Sequence, residues 1–417
     1  TPFGFDVSVW EFVWPLAAGA KLAIAAPGDH RDPALLVAAI EAHRVTTLHF
    51  VPSMLAVFLG YLDDFNAAAR CQSIERIVAS GEALAPELVA RVAQLLPHTR
   101  LYNLYGPTEA AIDVSHWTCD ADDSRTASVP IGHPIANLQL HVLDMALHPV
   151  PAGAAGELYL GGAGLARGYL GRSGLTAERF VPDPFAAGAR LYRTGDLARR
   201  RADGALDYLG RIDTQVKLRG QRIELGEIEA LLRTAAGVHD AVVIVRNEQL
   251  IGYLARGAGS TLDQGVLFDL LHAQLPAYMV PAQLIALDVL PVTPNGKCDR
   301  NALPAPVRQD KPAAALQTGT ERELAAIWQR VLRLDAIDRD DDFFMLGGHS
   351  LLATQANAQA NLHWTLVLPL RTLFDERTLA RCAAAIDLAL AERNARPGPD
   401  TASAIDALLG ELEMETD

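Results

Sequence analysis

Residues 305–319 read APVRQDKPAAALQTG, and no other stretch limits the fold as strongly. Rich in proline and alanine and without an apolar period, it suits neither a helix nor a sheet core, so 306–319 is expected to be a linker. Fully extended, at about 3.3 Å per residue, it spans roughly 50 Å. The chain on either side has a different character. Downstream, residues 320–392 hold ERELAAIWQRVLRL, SLLATQANAQA and ERTLARCAAAIDLALAER, which have helical spacing throughout and predict a small helical bundle. A tail, 393–417, carries one more amphipathic piece, AIDALLGELE.

Upstream, short apolar runs alternate with amphipathic stretches. KLAIAA (21–26), TTLHFV (46–51) and RIVASG (76–81) predict strands. PALLVAAIEAHR (33–44) and PELVARVAQLLP (86–97) predict helices, each with a proline in its first turn. That alternation predicts an α/β core with parallel strands. GELYLGG, RLYRTGDLARRR and ALDYLGR add strands, the last two joined by a hairpin at ADG. From 213 to 305 the pattern changes to a small α+β unit. There the helix ELGEIEALLRTA stops near Gly237 and the strand DAVVIVR follows. No internal repeat is evident.

With 417 residues the chain has room for two to four domains. Its 36 basic against 50 acidic residues give a net charge of −14, which argues against nucleic acid or an anionic membrane as partner, since both need basic patches. No apolar run reaches the length of a membrane span. The four cysteines, Cys71, Cys119, Cys298 and Cys382, have no CxxC spacing and predict reduced thiols in a cytoplasmic protein. The chain opens at Thr1 on the apolar stretch FGFDVSVWEFVWPL, which suggests a fragment.

Four motifs carry candidate chemistry. In LYNLYGPTEAAID (101–113), Tyr105 offers a ring for stacking a base, Thr108 a donor to a phosphate oxygen and Glu109 an oxygen ligand for Mg²⁺. An ordinary turn accounts for the same residues equally well. In the run 192–229, Asp196 follows a glycine, a good place to bind vicinal ribose hydroxyls, and Arg211 and Lys217 can meet phosphate or carboxylate. NGKCDR (295–300) puts Lys297 on a turn, where it can be delivered to a site building negative charge. LGGHSLLA (346–353) presents Ser350. A hydrolase nucleophile elbow needs G-x-S-x-G, and Leu352 stands where the second glycine belongs. A helix cap and an attachment point both remain.

Together FDVSVWE, NLYGPTE, GELYLGGAGLARGYL, YRTGDL, GRIDTQVKLRGQRIELGEIE, LPAYMVP and NGKCDR resemble the ordered signature blocks of the adenylation domain of non-ribosomal peptide synthetases. LGGHSLL resembles the attachment motif of their peptidyl carrier domain. The resemblance implies a multidomain chain: a partial α/β adenylation core with parallel-sheet layers and a β-rich section (1–212), a small α+β subdomain (213–305), and an all-α four-helix-bundle carrier (320–392). It also implies the chemistry. An amino acid carboxylate attacks the α-phosphate of ATP, pyrophosphate leaves, and a thiol takes the acyl group.

By the same resemblance Tyr105 stacks on adenine, Asn103 and Thr108 line the ATP site, Asp196 binds ribose and Glu109 places Mg²⁺. Lys297 bridges the substrate carboxylate and the nucleotide, Arg211 lies near the nucleotide, and Asp213 is the hinge of the small subdomain. Ser350 receives 4′-phosphopantetheine from a phosphopantetheinyl transferase, with Gly347 and Gly348 leaving its hydroxyl uncrowded. Condensation and thioesterase domains, in cis or trans, are the implied partners, and a secondary metabolite such as a siderophore the implied product class.

Family offsets place the substrate pocket at Asp6, Val7, Trp10, His49, Val78, Ser80, Leu104, Ile112, Asp113 and Lys297. Asp6 would pair with the ammonium. The small polar remainder resembles serine-activating pockets, with threonine as alternative. The sequence departs from the family pattern in lacking a phosphate-gripping loop like TSGSTGKPKG, which implies exposed apolar surface and a weakened phosphate site. Cys298 replaces the usual aliphatic residue, and Asn357 and Asn361 make their helix unusually polar. Two other readings stand beside the first: a carrier that works next to an inactive adenylation remnant, and an acyl-CoA synthetase. Asp6 and the fused LGGHSLL argue against the latter.

Overall fold

A computed structural model describes residues 3–26, 29–246, 249–257, 262–293, 298–305, 314–332, 334–344, 346–348, 350–366, 368–369 and 371–395. The chain separates into two compact units, 1–303 and 304–417.

In the first unit, α1 (Ser8–Ala17) precedes α2 (Pro33–His43), β1 (Thr47–Phe50), α3 (Pro52–Asp64), β2 (Arg76–Ala79), α4 (Pro86–Leu95) and β3 (Arg100–Tyr105). Pro33, Pro52 and Pro86 each open their helix, where the missing amide proton costs nothing. Asp32 adds a cap, its Oδ1 accepting from the Ala34 amide at 2.9 Å. Strands β1, β2 and β3 run parallel in register, as the strand–helix alternation predicts. Antiparallel β4 (Ser115–Thr118) and β5 (His133–Pro134) complete the sheet in the order β1-β2-β3-β4-β5. On one face Phe50, Ile77, Ala79 and Leu101 meet the apolar sides of α2, α3 and α4, including Ile40, Leu59 and Val92. The alternate positions His49, Val78, Tyr102 and Leu104 share the other face, because partner residues in a parallel ladder point the same way.

The strand expected at Lys21–Ala26 does not form. Those residues lie outside any sheet and are exposed, Ile24 at 78%. A strand is held by its ladder and cross-strand contacts, and β propensity without a neighbour does not replace them. Apolar residues on and around α1, among them Phe3, Val13, Trp14 and Leu16, are exposed as well.

A second sheet, β6 (Leu138–Leu143), β7 (Ala155–Gly162), β8 (Phe180–Pro182), β9 (Arg190–Arg200) and β10 (Leu206–Arg211), is antiparallel, with α5 (Ser173–Arg179) leading into β8. Its β9–β10 hairpin turns at ADG. A small hairpin follows, β11 (Val216–Leu218) with β12 (Gln221–Ile223), then α6 (Leu225–Arg233). Next come β13 (Val238–Arg246), β14 (Gln249–Arg256), α7 (Gln264–Gln274) and β15 (Gln283–Leu287). Helices α6 and α7 cover one face of the β13-β14-β15 sheet through Ile228, Leu232, Leu267 and Leu271.

Among the described residues the second unit has four helices, α8 (Gly319–Leu332), α9 (Ser350–Trp364), α10 (Arg371–Glu376) and α11 (Leu379–Ala395), around Trp328 and Phe343. The helix read from Glu376 starts at Leu379, and Glu376 instead ends α10. Arg377 takes φ +53° and sends its guanidinium to Asp342 at 2.9 Å, so the chain turns before α11 begins. Asn357 and Asn361, unexpectedly polar for α9, both donate to the Leu368 carbonyl at 3.0 Å, and Asn361 accepts from the Leu368 amide at 2.8 Å. They fasten the connection to α10. The tail helix expected near 404–413 lies outside the described residues.

Candidate active site

Gly106 starts the loop after β3 because nothing else fits. A Cβ there would lie 2.1 Å from the Ile112 carbonyl oxygen and 2.7 Å from the Asp113 Cα. The loop therefore folds tightly back on itself, through a short helical turn at Thr108–Ala110 and positive φ at Ala111 and Ile112. That return brings Tyr105, Thr108, Ile112 and Asp113 to one cavity of about 50 Å³. The start of α1 contributes Asp6 and Val7, the end of β2 Ser80, strand β9 Thr194 and Asp196, and β10 to β12 Arg211, Lys217 and Arg222.

One end of the cavity is rich in charge. Buried Asp196 accepts from the Tyr105 hydroxyl and, at 2.7 Å, from Arg211 Nη1. Arg211 grips Asp213 at the same time, Nε to Oδ1 at 2.6 Å and Nη2 to Oδ2 at 2.7 Å. Burial opposes the Arg211 charge, yet its two carboxylate partners hold its pKa above the ordinary value. Asp213, the expected hinge, also accepts from the Gln215 amide at 3.2 Å and lies 3.8 Å from Arg179. Its pKa is lowered: burial raises it, and Arg211 more than offsets that.

Glu109 accepts from Arg222 Nη1 at 2.9 and 2.7 Å and from the Tyr169 hydroxyl at 2.7 Å. Burial pushes this carboxyl up, and Arg222 with Tyr169 brings it below the usual range. Lys217 Nζ sits 5.4 Å from the centre of the Tyr105 ring, and burial lowers its pKa. Burial, with Asp196 beside it, pushes the Tyr105 phenol well up. Glu109, the expected magnesium ligand, accepts here from Arg222 and Tyr169. A magnesium ion carried by nucleotide phosphates takes only one or two protein carboxylates, and Glu109 would serve it by exchanging Arg222 for the ion.

The other end is held by neutral donors and aromatic rings. Trp10 Nε1 donates to Asp113 Oδ2 at 3.1 Å, and the indole stands edge-on to the His49 ring at 5.1 Å. His49 Nε2 lies 3.0 Å from Ser80 Oγ. Burial pushes the Asp113 carboxyl up to about 6, against the pull of His49 and Trp10. Of the remaining expected pocket residues, Leu104 lines a neighbouring cavity and Val78 is buried on the same sheet face. Asn103 does not line the cavity. It is buried, with its amide donating to the Pro130 carbonyl at 2.8 Å, a bond that braces the chain leading to β5.

Arg222, Tyr169 and Glu82 were not singled out from sequence. Lys217 and Arg222 are direct partners across the β11–β12 hairpin, so a hairpin reading of VKLRGQRI would have paired them. Glu82 accepts from the amides of Ser53 at 2.9 Å and Gly220 at 2.7 Å, tying that hairpin to the core. Tyr169 lay inside the block GELYLGGAGLARGYL, with nothing in its spacing to single it out.

Lys297 lies outside the described residues. In the second unit Ser350 is the first residue of α9, and its side chain is likewise outside them. Gly348 packs against Phe343. A Cβ there would lie 2.3 Å from the Phe343 ring, whereas Gly347, at φ +100°, has nothing within 4 Å. A serine leading a 15-residue helix fits a phosphodiester, because free amides and the helix dipole favour an anion at that end. All four cysteines are free, and no described helix is long and apolar enough to cross a membrane.

Comparison with known proteins places this geometry. Residues 1–170 match the AMP-binding enzyme family and 322–386 match the phosphopantetheine attachment site. The chain is 49% identical over 429 residues to phosphinothricin tripeptide synthetase PhsB of Streptomyces viridochromogenes, covering 100% of this chain and 35% of that protein. It is 46% identical over 402 residues to enterobactin synthase component F of Escherichia coli, covering 93% and 31%. The chain thus spans about a third of the length of these relatives. Among solved structures, holo-PA1221, with adenylation and PCP domains, matches with TM-score 0.74 and 28% identity, covering 93% of this chain and 65% of that one.

Proposed function

This chain belongs to the non-ribosomal peptide synthetases, an amino-acid adenylating region followed by a phosphopantetheine carrier, and from that premise we propose that it activates L-serine and loads it on Ser350. One observation carries the reading: a single cavity is lined at one end by Asp6, Ser80 and Asp113 and at the other by Tyr105, Thr108 and Asp196. That lining supports a site where an amino acid and a nucleotide meet.

In the proposed first step a substrate carboxylate oxygen attacks the α-phosphorus of ATP, the bond to the β-phosphate oxygen breaks, and pyrophosphate leaves. In the second, the pantetheine thiolate attacks the acyl carbon and AMP departs. Asp6 holds the ammonium, and Tyr105 stacks on adenine. Asp196 takes the ribose hydroxyls after exchanging Tyr105 and Arg211 for them. Lys297 contributes its charge at the carboxylate. Arg222 on Glu109 and Lys217 on Tyr105 close the nucleotide end here, so the β11–β12 hairpin must withdraw, with Asp213 as hinge, before ATP enters. Ser80 and Asp113 supply polar groups for a hydroxyl, with His49 behind Ser80, and threonine is the nearest competitor.

The partners are a phosphopantetheinyl transferase and neighbouring synthetase domains, in a cytoplasmic setting suited to four free cysteines. Intact mass after incubation with CoA and a phosphopantetheinyl transferase, then with Mg-ATP and serine, tests the proposal. A pantetheine adduct on Ser350 followed by a seryl adduct is expected. A pantetheine adduct that never gains an amino acid refutes activation by this chain, and gain of a different amino acid refutes serine.

A further inference from the structure

Behind the cavity wall lies a chain of three side chains from three elements. Glu11, on the first turns of α1, places Oε1 at 2.8 Å from His49 Nδ1 on β1. His49 Nε2 is 3.0 Å from Ser80 Oγ at the end of β2. The His49 side chain is only 5% exposed, and the Trp10 indole stands against its ring. Ser80 lines the cavity, whereas His49 and Glu11 do not.

We propose that Glu11 is a positioning residue that makes Ser80 a hydrogen-bond acceptor toward the cavity, so that the pocket selects amino acids whose side chain donates a hydrogen bond. The reasoning follows the protons. An ionised carboxylate only accepts, so the 2.8 Å contact puts the ring proton on Nδ1. The neutral ring then has a bare Nε2, and the Ser80 hydroxyl gives its one proton to it. What remains on Ser80 Oγ toward the cavity is lone pairs. Asp113, the second polar group at this end, is also an acceptor, with Trp10 donating to Oδ2. Both groups therefore ask for a donor. A hydroxyl answers with its proton, and a side-chain ammonium would as well. An alanine methyl or an ether oxygen leaves buried acceptors unmet, which costs about 1–3 kcal/mol. The inference rests on the amino-acid-activating reading above and adds a rule for the side chain that is accepted.

The test has two independent readouts. Nitrogen-15 spectra of the His49 ring in the intact chain report its tautomer without any turnover. The Nδ1–H tautomer is expected in the wild type and in Glu11→Gln, whose side-chain oxygen still accepts, with loss of that preference in Glu11→Ala. An Nε2–H or doubly protonated ring in the wild type overturns the proposal. The second readout is amino-acid-dependent pyrophosphate exchange with serine, threonine, O-methylserine and alanine. Threonine and O-methylserine each add one methyl group to serine, but only threonine keeps the donor. Serine and threonine should exceed O-methylserine and alanine. Glu11→Ala should lower the serine-to-alanine ratio of kcat/KM about tenfold, and Glu11→Gln should restore it. A ratio that does not move, or O-methylserine used as well as serine, overturns the proposal. Exchange with no amino acid at all sinks the activation reading instead and leaves the tautomer measurement to decide this one. If Glu11→Ala does not fold, the wild-type tautomer and the O-methylserine comparison still decide.

Discussion

The two ends of the cavity are held in opposite ways. At the nucleotide end, charged side chains from four strands and the segments beside them meet one another or a ring: Arg211 on Asp196 and Asp213, Arg222 on Glu109, Lys217 over Tyr105. Every one of these groups would be wanted by a triphosphate, a ribose or a cation. At the amino-acid end the links are an indole on a carboxylate and an imidazole on a hydroxyl, inside an aromatic frame. Ion pairs can be traded for other ion pairs at small net cost, because the desolvation is already spent. A network whose donors are an indole and a hydroxyl fixed by packing cannot be traded that way. The difference teaches that the amino-acid end is prebuilt for one shape, while the nucleotide end is an exchangeable set of charges.

The largest effect should come from breaking the charged end at its most buried pair. Arg211 and Asp196 side chains are 9% and 4% exposed. Arg211→Ala leaves Asp196 buried with only the Tyr105 hydroxyl and frees Asp213, so a loss of about 3–5 kcal/mol is expected in urea unfolding of the chain. Arg211→Met, if it proves as costly as alanine, would show that charge matters there more than packing. A loss under about 1 kcal/mol for either variant would mean that the pair contributes nothing, and the contrast drawn between the two ends would fall.

Asp113 sharpens the other side of the comparison. Its pKa is raised by burial to about 6, from an ordinary value of 3.8. The folded state therefore binds more protons than the unfolded state between those two values, and stability falls as pH rises from about 4 to about 6, then stays lower. Allowing for the water that its partial exposure admits, the cost above pH 6 is roughly 2 kcal/mol. Asp113→Asn keeps an oxygen to accept from Trp10 and removes the charge. It should gain about that much at pH 7.5 and gain nothing at pH 4. Melting curves at the two values check this, and an equal effect at both pH values would refute the burial account. The variant should activate serine less well, since a site tuned for function is commonly stabilised by blunting it.

How much of this was legible in the sequence depended on how local the cause was. The strands at Thr47–Phe50 and Arg76–Ala79 and the helices opened by Pro33 and Pro86 could be read from local apolar period, whereas α3 after Pro52 and β3 after Pro86 were not read as elements. KLAIAA has the same apolar signal as TTLHFV, and only the second has a parallel neighbour, Arg76–Ala79. A strand is a property of a pair, and one segment cannot declare its partner. Tyr105, Asp196 and Arg211 were found as separate motif residues, but nothing in their spacing of 91 and 15 residues says that they bond to one another. Asn103 shows the reverse limit. It sits inside a recognisable motif, yet its amide serves the Pro130 carbonyl. The polar Asn357 and Asn361 looked out of place until the Leu368 backbone arrived from outside the helix to meet them. The close packing of Gly348 on Phe343 had no signal in the sequence either.

The smallest expected effect isolates one neutral contribution within the charged end. Tyr169 donates to Glu109 Oε1 at 2.7 Å, while Arg222 contacts both carboxylate oxygens. Removing the hydroxyl with Tyr169→Phe leaves the ring in place against Phe180, 5.7 Å away. Glu109 then keeps its cation and loses one hydrogen bond, so the cost should be about 1 kcal/mol, near the low end for a bond to a charged group. The sign of its pH dependence is fixed as well. Glu109 is held below its ordinary value, so the stability it contributes is present above the unfolded pKa and is lost as pH falls through the folded one. Tyr169→Phe moves the folded value upward, and the difference from wild type should vanish in acid, where the carboxyl is protonated in both. The Arg211 variants at the same pH should still differ from wild type, because their loss of packing does not titrate. If Tyr169→Phe costs as much as Arg211→Ala, the charged end is not an exchangeable set of ion pairs. It is then a fixed network like its neighbour, and the hairpin carrying Arg222 would have to break it to withdraw.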